Sequence, residues 1–255
     1  MKGETMALSI AFSGKGGTGK TTLAGMLIRY LIKEGRDPIL AVDADSNFNL
    51  NEVLGVEVHE TLGGVRERMK KGDVPNGMTK DRFMSMQLEQ AIVEADHFDL
   101  VVMGQPEGQG CYCAANTLLS DFLQKLTVNY QSIVMDNEAG MEHISRLTTS
   151  NIDKLLVVSD PSRRGLQAAQ RINELAQSLN IGVKEILLIL NNVRREPSQA
   201  VLDIIDQAGM TLLGTVPADP TLAEFDMSGR PTSELPEDNP VVQRAFGMFE
   251  RIIPE

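Results

Sequence analysis

The chain has no tryptophan, three histidines and two cysteines in 255 residues, and aromatic residues make up only 4% of it. Two cysteines cannot build a disulfide framework, so a small cysteine-stapled secreted fold is excluded. The histidines, His59, His97 and His143, are scattered and form no cluster with metal-ligand spacing. His59 and His97 read as surface residues, and His143, beside Glu142, is a candidate for a switch or interface role. Positive charge is also short: 24 Lys and Arg stand against 35 Asp and Glu, a formal net charge of −11. With no Lys/Arg-rich stretch to offset this, a nucleic-acid surface is not expected. No apolar run approaches the ~20 residues that a membrane span requires, and the start carries no signal-peptide pattern. The expectation is a cytoplasmic protein without a membrane partner. Internal repeats are missing, and so is any linker rich in Pro, Gly and Ser. The chain therefore reads as one domain over residues 1–255, with 1–6 a flexible start.

Hydrophobic residues make up 42% of the chain, enough for an ordinary core. Short apolar runs recur at Leu8–Phe12, Pro38–Val42, Phe98–Met103, Ser132–Met135, Leu155–Val158, Ile186–Leu190 and Leu212–Val216. Most are apolar on both faces, the pattern of strands covered by helices on two sides. Helical spacing between them predicts an α/β fold, a doubly wound, mostly parallel sheet of about seven strands with ligands at the strands' C-terminal ends. A helix is expected over 163–179, with Ser162 as its N-cap. Residues 57–94 are less regular and read as one or two surface helices around a Gly72–Gly77 turn, a candidate partner-facing insertion. The tail Val241–Ile253 carries only Arg244 and Arg251 as basic residues and is expected to pack on the sheet.

The most informative segment is Gly14 to Thr22, GKGGTGKTT. It matches GxxxxGK[ST] between an apolar strand and a helical pattern, the context that a phosphate loop requires. Gly14, Gly16, Gly17 and Gly19 permit positive φ and close approach of a ligand to the backbone. Thr18 and Thr22 complete the string. The loop N–H groups and the helix N-terminus would face an anion. Lys20 would reach the β- and γ-phosphates of ATP or ADP, and the Thr21 hydroxyl would hold Mg²⁺. Lys15 directly follows Gly14 and points away from phosphates that Lys20 already serves.

Other residues extend this site. The second strand ends in Val42-Asp43-Ala44-Asp45, where Asp43 is placed to anchor a Mg²⁺-bound water and Asp45 to orient the attacking water. Alternatively, both are acidic turn residues that cap the next helix. Asp136 ends the strand Ser132–Met135 as the carboxylate of a Walker B pattern, or as a helix cap. Asn191, Pro217 and Asp219 follow strands at positions where a purine base would rest, and each is also a routine turn residue. Cys111 and Cys113, in Gly-Gln-Gly-Cys-Tyr-Cys, point to the same side of an extended segment. Two thiolates are too few for a structural Zn²⁺ site, and a two-fold homodimer would supply four. The alternative is a pair of buried cysteines.

Together these residues resemble the deviant Walker A ATPases: the nitrogenase iron protein, the ParA and MinD partition proteins and the tail-anchored-protein targeting ATPases. Lys15 in GKGGTGKTT carries that likeness. Within the group, AVDADSNFNL, GQGCYC, VMDNEAGMEH and LNNV look most like the CooC-type accessory ATPases. Ser46 and Asn192 depart from the pattern, standing where many relatives carry proline and lysine. The resemblance implies a Mg²⁺-dependent ATPase that works as a homodimer, with Lys15 acting on the nucleotide of the other protomer. It also implies Ni²⁺ or Zn²⁺ at Cys111 and Cys113, and a nickel-containing client enzyme such as carbon monoxide dehydrogenase or acetyl-CoA synthase. The rival readings are a ParA- or MinD-like positioning ATPase, an electron-carrying iron protein with a [4Fe–4S] cluster between protomers, which would require two well-separated cysteines per chain, and a scaffold that uses ATP as a dimerisation switch.

Overall fold

The computed structural model describes residues 7–71, 74–75, 77–104, 122, 124–137, 152–178 and 182–254. Its strands are β1 (Leu8–Gly14), β2 (Ile39–Asp43), β3 (Val93–Glu94), β4 (Phe98–Val102), β5 (Ser132–Asp136), β6 (Lys154–Ser159), β7 (Glu185–Val193) and β8 (Thr211–Pro217). Its helices are α1 (Lys20–Lys33), α2 (Leu50–Leu54), α3 (Leu62–Lys71), α4 (Lys80–Gln90), α5 (Arg163–Ser178), α6 (Gln199–Gln207), α7 (Pro220–Ser228) and α8 (Pro240–Phe249).

The central strands are apolar on both faces because each face is covered. In β1, Ile10 and Phe12 enter one core while Ala11 enters the other. The same alternation separates Ile39 and Ala41 from Leu40 and Val42 in β2. The eight strands form one sheet in the order β3-β4-β2-β5-β1-β6-β7-β8. Every pairing is parallel except β3 with β4. All seven expected strands are present. The eighth, β3, is an antiparallel edge piece of two residues, with Val93 opposite Leu100 and Glu94 opposite Asp99. Two residues carry no periodic signal, so such a strand is invisible in sequence.

Helices α1 and α8 cover one face. Asn239 caps α8, its side-chain oxygen accepting from Val241 N at 2.9 Å, and Pro240 supplies the first turn. Val242, Ala245 and Phe249 are fully buried, and Tyr30 of α1 lies 5.3 Å from Phe246 in an edge contact. The tail thus packs into the fold as expected. The other face is covered by α3, α4, α5 and α6. Ser162 Oγ accepts from Gly165 N at 3.1 Å, which starts α5 where expected.

Residues 57–94 hold the two helices expected around the Gly72–Gly77 turn, α3 and α4, and also β3; one side of the helices is not at the surface, since Leu62, Val65, Met84 and Leu88 are buried in the second core. Apolar residues are sparse in this stretch, but Leu62 and Val65 of α3 and Met84 and Leu88 of α4 lie on the sides of those helices that close over the sheet. Among the described residues no helix is long and apolar enough to cross a membrane.

Candidate functional site

Register brings the site together. Phe12 pairs with Asp136, and Asp43 also pairs with Asp136, so β1, β2 and β5 end at one edge. From that edge β1 runs into the glycine loop. Gly14 has φ 154°, and a Cβ there would stand 2.2 Å from the Val158 carbonyl oxygen, so β6 leaves room only for glycine. Thr18 is buried and its hydroxyl donates to the Lys15 carbonyl at 2.8 Å, which closes the loop on itself. Lys15, Gly16 and Gly17 are exposed, whereas Lys20, the first residue of α1, is buried. The two lysines therefore face different surroundings. Thr21 and Thr22 are half-buried in the first turn. Among the described residues no side chain caps α1, and no acidic residue sits in its first turn. Its first N–H groups and its positive dipole end stay available to an anion.

Opposite this cationic end lie three carboxylates. Asp136 is only 2% exposed, and its Oδ1 has no hydrogen-bond partner among the described residues. Burial pushes its carboxyl up to about 7, the Thr21 hydroxyl bonded to it and Lys20 pull it down, and Asp43 and Asp45 push it up. Magnesium takes hard oxygen ligands, and a buried carboxylate oxygen without a partner, beside a threonine hydroxyl and two further acids, fits that ion. Thr21 and Asp136 would hold it.

In the structure Asp43 does what the alternative reading, an acidic residue of the turn before the next helix, expects. Its Oδ1 accepts from Asp45 N at 3.0 Å, and its Oδ2 accepts from Asn49 N at 3.0 Å and Leu50 N at 2.9 Å. Burial raises its pKa while those three backbone donors lower it. Asp43 shapes the 43–50 turn and leads into α2. Asp45 is half-buried on that turn, its Oδ1 accepting from Asn47 N at 2.8 Å. Asn137, which sequence reasoning passed over, is buried, and its Nδ2 donates to the Phe12 carbonyl at 2.9 Å. It ties β5 to β1 just before the loop; its place after the apolar Asp136 strand was the only signal for it.

The residues after β7 and β8 also have tasks of their own. Asn191 Nδ2 donates to the Thr18 carbonyl at 2.8 Å, so the position assigned to a base contact braces the glycine loop. Asp219 Oδ1 accepts from Leu222 N at 2.7 Å, the bond of an N-cap for α7, and from Asn239 Nδ2 at 3.1 Å. Pro217 ends β8 opposite Val193. Cys111, Cys113 and His143 lie outside the described residues. Among the described residues no group of three or more His, Cys, Asp or Glu is set to hold a metal. His59 is exposed, and His97 Nδ1 lies 2.9 Å from Asp37 Oδ2 at the surface.

A glycine loop on a parallel sheet, with a buried lysine and a buried strand-end aspartate, is a nucleotide site in form. The sequence pattern described as the CobQ/CobB/MinD/ParA nucleotide binding domain matches residues 9–232. The chain belongs to that family. An uncharacterized ATP-binding protein of Methanocaldococcus jannaschii is 42% identical over 248 residues, covering 96% of this chain and 98% of that protein. The carbon monoxide dehydrogenase accessory protein CooC of Rhodospirillum rubrum is 33% identical over 237 residues, covering 87% of this chain and 88% of CooC. Among solved structures, the septum site-determining protein MinD of Pyrococcus horikoshii, complexed with Mg-ADP, superposes with TM-score 0.71 at 26% identity, covering 97% of this chain and 96% of that one. The eight-stranded sheet flanked by helices is thus the architecture of the MinD/ParA nucleotide-binding family. The expectation of a P-loop ATPase accords with that membership.

Proposed function

We propose that the protein is a Mg²⁺-dependent ATPase that works as a nucleotide-switched homodimer and serves the maturation of a nickel enzyme. The observation that carries the ATPase reading is the opposition of two buried groups across β1 and β5, Lys20 at the start of α1 and Asp136, whose Oδ1 has no partner among the described residues. Lys20 and the loop N–H groups bind the phosphates of ATP. Mg²⁺ held by Thr21 and Asp136 would neutralise charge at the β- and γ-phosphates. Asp45, on the turn built by Asp43, orients the attacking water. Lys15, exposed on the loop, reaches the nucleotide of the second protomer, so ATP favours the dimer.

The finer reading, nickel as cargo, rests on the likeness to CooC together with the Cys111-x-Cys113 pair. In this reading the cysteines of two protomers bind one Ni²⁺ or Zn²⁺ and pass nickel to carbon monoxide dehydrogenase or acetyl-CoA synthase. The likeness to MinD favours a second reading, a positioning ATPase. The buried apolar face of α8 weighs against that tail lying on a lipid surface.

Two measurements test the proposal. Lys20→Ala should lower Mg²⁺-dependent ATP turnover by about 10²–10³-fold, since it removes a preorganised cation at the developing charge. Near-normal turnover would overturn the ATPase assignment. Metal analysis of the dimer should find one ion per two chains, lost in Cys111→Ala and Cys113→Ala. A wild type that binds no metal, with or without nucleotide, leaves the positioning reading in its place.

A further inference from the structure

We infer that Asn191 is a positioning residue of the phosphate loop, one that sets affinity for the phosphate chain whether or not a base is attached; this rests on the nucleotide-binding reading above. Strand β7 pairs smoothly with β6 through Leu190, but against β8 the register slips between Leu190 and Val193. Asn192 sits in that slip with φ 57°, the only non-glycine residue with positive φ among the described residues. Asparagine tolerates this conformation better than most residues. A bulge of this kind re-aims the neighbouring side chain. Here it carries the Asn191 amide across the sheet edge to the loop, 173 positions away, where Nδ2 donates to the Thr18 carbonyl at 2.8 Å.

A second observation places the same amide against the loop. A Cβ on Gly19, which has φ 86°, would stand 2.2 Å from Asn191 Nδ2. Gly19 is therefore required twice, by its backbone conformation and by the amide packed against it. Thr18, held by Asn191 at its carbonyl, holds Lys15 in turn through its hydroxyl at 2.8 Å. Among the described residues nothing lies within 4 Å of where a Cβ on Gly16 or Gly17 would stand. The stretch between Lys15 and Thr18 is thus secured at its ends and open in the middle.

A loop with four glycines in six positions loses much conformational freedom when it orders around an anion. A bond from a strand that is already rigid removes part of that loss before the ligand arrives. The gain reaches any ligand that occupies the loop, including one without a base. A residue that touched only adenine would have no such effect.

Calorimetric titration of the full chain with Mg-ATP and with Mg-tripolyphosphate, which has phosphates and no base, tests this. Asn191→Ala should weaken both ligands by a similar factor, roughly tenfold for one neutral hydrogen bond. Asn191→Asp should weaken both further, because a carboxylate would face the Thr18 carbonyl oxygen. Weaker ATP binding with unchanged tripolyphosphate binding would overturn the inference and make Asn191 a base contact alone. Unchanged binding of both would also overturn it. If the alanine variant does not fold, as judged by its thermal transition, Asn191→Ser provides the same comparison. A wild type that binds neither ligand overturns the nucleotide reading itself, a result distinct from either outcome in the variants.

Discussion

Asp136→Asn should make the nucleotide-free protein more stable at alkaline pH while it damages the site. The carboxyl of Asp136 is raised from an ordinary 3.8 to about 7, chiefly by burial. The folded chain therefore holds this proton more tightly than the unfolded chain does. Stability from this group is complete below about pH 4 and is lost as pH rises through 7. A rise of that size corresponds to about 4 kcal/mol at full ionisation. Of this, about 2–3 kcal/mol is lost between about pH 5 and pH 8. For a chain of this size that corresponds to about 5–10 °C in Tm. Asparagine has nearly the same shape and no charge at any pH. The stability difference between variant and wild type should therefore grow by that amount across the range, in favour of the variant. Other carboxylates titrate in both proteins and cancel in the comparison. The assay is thermal unfolding by circular dichroism, with and without Mg-ATP. Mg-ATP should raise the Tm of the wild type and do little for the variant. Parallel pH curves, or a variant less stable at pH 8, would refute the argument that burial of this charge dominates over its favourable contacts.

Further outcomes follow from the same geometry. Lys15 is exposed and, among the described residues, hydrogen-bonded only through its backbone, so Lys15→Ala should leave Tm unchanged; ATP-dependent dimerisation in light scattering should disappear, and turnover should fall by about 10³-fold if Lys15 acts as a cation in trans. Asp45→Ala should bind ATP but hydrolyse it poorly, so the ATP-bound dimer accumulates; loss of nucleotide binding in a filter assay would instead make Asp45 structural. Phe249 is fully buried beside Tyr30, with ring centroids 6.0 Å apart. Phe249→Ala should cost about 3–5 kcal/mol by leaving a cavity, and a Tm within a degree of wild type would show that α8 is not part of the cooperative core.

Local features were legible because local chemistry dictates them. GKGGTGKTT needs no partner to declare itself: its glycines, lysines and threonines are adjacent in the chain, and the apolar strand before it comes from the same stretch. The strands covered on both faces announce themselves by unbroken apolar runs, and Ser162 as a cap needs only the next three residues. The short β3 and the buried faces of α3 and α4 were not legible, since a two-residue strand and a sparse apolar stripe are defined by what they pack against.

What the sequence by itself determined is the identity of the chemical groups and the strand order's raw material: which lysine begins α1, which aspartates end β2 and β5. What only the tertiary structure decided is their division of labour. Asp43 and Asp45 differ by two positions, yet one is fully buried under three backbone donors and the other is half-buried on the turn those donors shape. Asn191 and Thr18 are far apart in the chain, and only parallel pairing of β6 with β1 and β7 sets them within one hydrogen bond. Spacing in a sequence reports which groups exist. Their burial and their hydrogen-bond partners are properties of neighbours brought from elsewhere, and those decide what each group does.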